Sequence, residues 1–274
     1  MNKELSFESP GFVKRIKGML SVDFYRLFHT PLFYIFIAIA AIIPAMVLAM
    51  TGMENPTTGE IIKLYDNTWQ VVAATEPLYV VRDIAEYANM NMVYIFEGIM
   101  VSIFIGHDYK SGYVKQLFTT HAKKQDYMIS KTAIGAFSMA CMCISYLFGT
   151  VIAGALVQYS FSVNIGSLLI AILSKIIMSC GWASLYTMLN IVFRKNFGIS
   201  IVSCFFFGTG ILIIGAAAIL GNSGILNIFL YGSSVYACLS SDILTLFVCM
   251  GISSLWTVIY NLLGTYILSK SDVY

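Results

Sequence analysis

The chain has 274 residues, of which 58% are hydrophobic and only 11% charged, with a mean hydropathy of +0.81. That balance excludes an ordinary water-soluble fold, which could not hide so much apolar surface. The net charge of +2 decides little; its distribution along the chain decides a good deal.

A helix needs about 20 apolar residues to cross a hydrocarbon core roughly 30 Å thick. Leu32 to Met50, Thr132 to Ser174 and Asn196 to Ser241 carry no Asp, Glu, Lys, Arg or His, so the two longer tracts must fold back on themselves. These runs are continuously apolar, without the alternating polarity of a membrane β-barrel, so helices are expected. The fold class is therefore an all-α membrane protein. Its six transmembrane helices are expected at about 32–51, 88–106, 132–157, 165–193, 198–220 and 243–268.

Residues 1–30 form a leading cytoplasmic segment, and 31–274 the six-span domain. The segment has no short apolar stretch with a small-residue cleavage site, so no cleavable leader is expected. Within it, Phe12, Ile16, Met19, Leu20, Phe24, Leu27 and Phe28 recur at helical spacing opposite Lys14, Ser21 and Tyr25. An amphipathic helix over 11–30, lying along the inner membrane surface, fits this pattern. A plain cytoplasmic extension of the first span fits it too. Asp23 falls inside the apolar stripe and has no explanation in the pattern.

The loop 52–87 is expected outside the cell; from Thr51 to Tyr87 six acidic residues face Lys63 and Arg82, a net charge of −4. Cationic peptides would be attracted to it, although acidic residues are also what remains when positive charge is kept inside. After the second span come Lys110, Lys115, Lys123, Lys124 and Lys131; Lys3, Lys14, Arg15, Lys17 and Arg26 precede the first span, Arg194 and Lys195 follow the fourth, and Lys270 follows the last. Thirteen of the 16 Lys and Arg residues thus fall in segments that would share one side, which predicts a cell-membrane protein with both termini cytoplasmic. Between Gly221 and Ser241 the chain is apolar but rich in Gly and Ser. Short helices re-entering the outer leaflet before the last span are expected there, with an ordinary external loop as the alternative.

Chemistry on the chain itself is not expected. There is no G-x-x-x-x-G-K-[ST] loop, nor any Gly-Lys dipeptide, and the three histidines are scattered. No catalytic residue, metal site or cofactor follows from the sequence, and the six cysteines read as small hydrophobes. Glu97 and Lys175 lie inside predicted spans at similar depths, where a charge is costly. Either they pair, or Glu97 faces a translocation path, or the two are satisfied separately, Lys175 by reaching to the interface and Glu97 by neighbouring polar groups.

The run "FIGHDYKSGYVKQLFTTHAKKQDYMISK" is the most informative. Asp108 and Ser111 are placed to cap a new helix and Gly112 to turn the chain out of the membrane, while the lysines beyond serve either docking or simple topology. The segment resembles the ABC-2-type permease family, in which an acidic residue, a small residue and a glycine precede a cytoplasmic coupling helix; bacterial peptide, bacteriocin-immunity and antibiotic exporters belong to it. The resemblance implies a transmembrane permease subunit of an ATP-binding cassette exporter, with ATP hydrolysed on a separate ATPase subunit and a second permease chain, identical or sister, alongside in the bilayer. It implies coupling to the ATPase through 107–131, chiefly Asp108, Tyr109, Lys110, Ser111, Gly112, Lys115, Lys123 and Lys124. The substrate would be an amphipathic peptide, antibiotic or lipid, and no nucleic-acid partner is expected. The competing readings are an ion-coupled secondary transporter, for which Glu97 is the one intramembrane carboxylate, and an intramembrane protease, whose paired Glu or His residues are not seen.

Overall fold

A computed structural model describes residues 11–51, 92–119, 122–156, 162, 164–212, 219, 224–239 and 243–270. All regular structure among these residues is helical. In chain order the helices are α1 (Phe12–Phe28), α2 (Pro31–Thr51), α3 (Val93–Lys110), α4 (Tyr113–Thr119), α5 (Lys124–Leu156), α6 (Ile165–Val192), α7 (Phe197–Gly208), a 3-10 turn at Gly224–Ile228, α8 (Leu230–Leu239) and α9 (Ile243–Lys270). The loop 52–87, expected outside the cell, and residues 1–10 lie outside the described residues.

Three of these helices are long and apolar enough to cross a membrane: Lys124–Leu156, Leu168–Val192 and Ile243–Lys270. A fourth candidate is α1 with α2, bent by 67° at the break between them. The second and fifth expected spans correspond to α3, which carries Glu97, Asp108 and Lys110, and to α7, which has only 12 residues. The outer faces of the long helices are apolar and open: Ile152 is 61% exposed, Leu169 61% and Leu244 72%. A water-soluble monomer rarely presents such faces over a large contiguous area.

The breaks between helices have local causes. The Asn164 side chain caps α6 by accepting from the Gly166 amide at 2.9 Å, and Asn196 caps α7 by accepting from Ile199 N at 3.3 Å. Gly112 sits at φ +72 between α3 and α4, a conformation that costs other residues a clash with their own Cβ. Helix α5 begins at Lys124, eight residues before the span expected from composition, because Asp126 and Lys131 are buried in ion pairs instead of ending the helix.

In lipid, burial of apolar area does not itself drive helices together, so close backbone approach and interhelical hydrogen bonds take that role. A Cβ built on Gly149 of α5 would fall on the carbonyl oxygen of Ala41 in α2. Beside that crossing, Ser145 Oγ donates to Ile37 O at 2.8 Å. The α6 face is built around Trp182, which stacks on Tyr94 at 4.8 Å and donates through Nε1 to Ser234 Oγ of α8 at 3.0 Å. Residues 224–239 are thus a 3-10 turn and a short helix packed on the bundle, with Leu226, Leu230 and Tyr231 buried. Basic segments converge at one end: Lys124 Nζ donates to Ser269 O at 3.2 Å, and Arg194 shares a cavity wall with Ile267.

Candidate functional site

Four charges from three helices close on one another where α1 meets the α3–α5 connector. Asp23 and Asp108 are both fully buried, and Lys131 is 2% exposed. Lys131 Nζ lies 2.6 Å from Asp23 Oδ1 and 2.8 Å from Asp108 Oδ2, bridging the carboxylates. Arg26 pairs with Asp108 through Nη2 and places Nη1 3.6 Å from Asp23. The one remaining carboxylate oxygen, Asp23 Oδ2, accepts from Ser130 Oγ at 2.7 Å, and the Tyr127 hydroxyl adds a second bond to Asp108 Oδ2 at 3.1 Å. Two negative and two positive charges balance, which a buried cluster requires to survive desolvation.

Aromatic rings wall the cluster. The Arg26 guanidinium sits 5.0 Å from the Phe104 ring centre and 4.7 Å from that of Tyr113, and Lys131 Nζ 4.8 Å from Phe104. Burial, and then Asp23 and Asp108, push the Tyr113 phenol up to about 12, so it stays neutral and offers the cations its ring face. A second tie joins the same two helices, α1 and α5, where Arg15 Nε meets Asp126 Oδ2 at 2.7 Å. Asp126 also accepts from the Lys123 amide at 3.2 Å, reaching back across the first turn of α5 in the manner of a capping box. Met19, Val114, Tyr127, Met128, Ile191 and Leu268 form the small apolar core beneath. Helix α4 and the start of α5 are thereby fixed to α1 and to the ends of α6 and α9.

This geometry corrects the expected helix-capping role of Asp108 and Ser111. The Asp108 carboxylate is committed to Lys131, Arg26 and Tyr127, and the exposed Ser111 closes α3, its Oγ donating back to Asp108 O at 3.4 Å. Gly112 makes the turn as expected. Of the other connector residues, Lys110, Lys115 and Lys123 are exposed, Lys124 is half-buried, and Tyr109 is half-buried with its hydroxyl enclosed and lacking a hydrogen-bond partner. Asp23, Arg26, Lys131, Arg15 and Asp126 were not singled out as site residues by sequence reasoning. The one signal was an aspartate in an apolar stripe, which lies on the buried Met19, Asp23, Leu27 face of α1.

Glu97 and Lys175 are not brought together as an ion pair. Glu97 is fully buried, neither of its oxygens has a hydrogen-bond partner, and Oε1 faces the α5 backbone where a Cβ on Gly135 would sit 3.4 Å away. Lys175 places Nζ 5.7 Å from the Tyr94 ring centre. Among the described residues there is no group of three or more His, Cys, Asp or Glu side chains able to hold a metal. No protein-family model matches the sequence, and a comparison with curated proteins finds no match either.

Proposed function

We propose that this chain is the six-span permease subunit of an ATP-binding cassette exporter, with the connector 107–131 facing the cytoplasm and taking force from a separate ATPase subunit. The observation that carries this reading is the buried Asp23, Arg26, Asp108, Lys131 cluster, which welds the connector to α1 and α5 while leaving Lys115 and Lys123 exposed. A loop needed only for topology has no use for two fully buried carboxylates beneath it. Helix α5 is continuous for 33 residues, about 50 Å at 1.5 Å per residue, and packs on both α2 and α6. A push at its first turn therefore moves as a rigid lever into the bundle. Nucleotide-driven closure of the ATPases would tilt this lever, together with the one in a second permease chain, between inward-facing and outward-facing arrangements. The cargo would be an amphipathic peptide, antibiotic or lipid.

The partner-free carboxylate of Glu97 supports a second reading, an ion-coupled transporter, because a group buried without a hydrogen bond at membrane depth is a place to bind a proton or cation. Co-expression with an ATP-binding cassette ATPase subunit, sought in the reading frames beside this one, separates the two. The exporter reading expects co-purification and substrate-dependent ATP hydrolysis, both reduced by Lys115→Glu with Lys123→Glu. Transport that persists without any ATPase, and stops on Glu97→Gln, belongs to the second reading and overturns the first.

A further inference from the structure

A cavity of about 120 Å³ opens between the end of α3, the end of α6 and the start of α7. Lys110, Arg194 and Lys195 line it, and no acidic residue is among the described residues that do. Asp108 is close in sequence but does not line the cavity, and it is paired with Lys131 and Arg26. Tyr109 also lines the cavity; its hydroxyl is buried without a hydrogen-bond partner and lies within electrostatic reach of both Arg194 and Asp108. Phe197 forms one wall, seated against Gly106 with Lys110 Nζ 5.3 Å from its ring centre. The amino end of α7 starts at this wall, so its backbone dipole adds positive potential.

We infer that this cavity binds the phosphate headgroup of an anionic phospholipid, held by Lys110, Arg194 and Lys195 with the Tyr109 hydroxyl as donor. Three cations around one small space call for an anion with several acceptor oxygens, and phosphate supplies them. The lipid source is favoured by what continues from the cavity: the α7 surface carries exposed Ile199, Val202, Phe205 and Phe206, 39–66% open, along which acyl chains can lie. Basic pockets between helices at the cytoplasmic level of a membrane bind such headgroups on electrostatic grounds. The inference depends on the bundle being membrane-embedded and is independent of which transporter class it serves.

The test is native mass spectrometry of the intact protein, released from nanodiscs of phosphatidylcholine doped with phosphatidylglycerol. The expected result is selective retention of one phosphatidylglycerol. Retention should weaken on the order of a hundredfold in the Lys110→Gln, Arg194→Gln, Lys195→Gln triple variant, since each cation near an anionic headgroup is worth roughly a fivefold factor. Tyr109→Phe, which keeps the ring and the fold, should weaken it by about tenfold. Lys14→Gln with Lys17→Gln, at the same end on α1, should leave it unchanged. Equal retention by the folded triple variant overturns the proposal, as does an equal loss in the α1 control, which would mean diffuse surface charge. If inorganic phosphate at millimolar concentration competes the lipid off and stabilises the protein equally in pure phosphatidylcholine, the ligand is a free anion and the lipid assignment fails.

Discussion

Replacing Lys131 with methionine probes the charge cluster most sharply. The substitution keeps the chain's length and apolar stem but removes one of two cations, leaving Asp23 and Asp108 with Arg26 alone. Both carboxylates are fully buried, so the surplus negative charge has no water to turn to, and breaking a buried pair in this way costs about 3–5 kcal/mol. Asp23→Asn leaves the opposite surplus, but the Arg26 side chain is 22% exposed and can partly rehydrate, so a smaller cost of about 2 kcal/mol is expected. The double variant is neutral again, with Asp108 paired to Arg26. Its total cost should fall short of the sum of the single costs by about 1–3 kcal/mol. Equilibrium unfolding of the purified protein in mixed micelles, followed by circular dichroism, measures all three. A Lys131→Met cost below about 1 kcal/mol, or strict additivity within about 0.5 kcal/mol, would refute the cluster as the tie that holds the connector.

Gly149→Ala should destabilise by about 1–3 kcal/mol, because its Cβ meets the backbone of Ala41 and not a side chain able to move. Gly251→Ala in α9, with nothing within 4 Å, should be neutral or gain up to about 1 kcal/mol of helix propensity, and thermal midpoints of the two variants compared side by side check the contrast. At Gly112 there is space for a Cβ but φ is +72, so Gly112→Ala should cost about 1–2 kcal/mol through backbone strain alone, with Gly112→Asn costing less in the same assay. Glu97→Gln removes no hydrogen bond and should change stability by less than about 1 kcal/mol in the same unfolding assay. A larger loss would mean that Glu97 has a structural partner after all.

What could be read from residue order was what depends on short-range pattern. The amphipathic helix expected over 11–30 is found at Phe12–Phe28, and the glycine expected to turn the chain at 112 has a positive φ. Where the last span is expected, over 243–268, stands the helix Ile243–Lys270, which is long and apolar enough to cross a membrane. What could not be read depends on which faces meet. Asp23 was visible as an anomaly, but its partner Lys131 stands 108 positions away and looked like one more topology-setting lysine. The same blindness explains Asp108, whose spacing before Gly112 suits a cap until Arg26 and Lys131 approach it from other helices. Counting residues along α3 and α6 gave Glu97 and Lys175 similar depths. It gave no information on rotation about the helix axes, and the rotation decides that Glu97 faces Gly135 while Lys175 faces Tyr94. Composition located the apolar part of α5 but not the turns before it, whose charges are neutralised by Arg15 and Asp23.

Single cysteines at Lys115 and Lys123, the exposed lysines of the connector, offer the most direct measurement, with the unsubstituted chain as background. A membrane-impermeant maleimide applied to inside-out and right-side-out vesicles should label both positions only from the cytoplasmic face. Labelling from the outer face would put the connector beyond the reach of any cytoplasmic ATPase and contradict the account at its root.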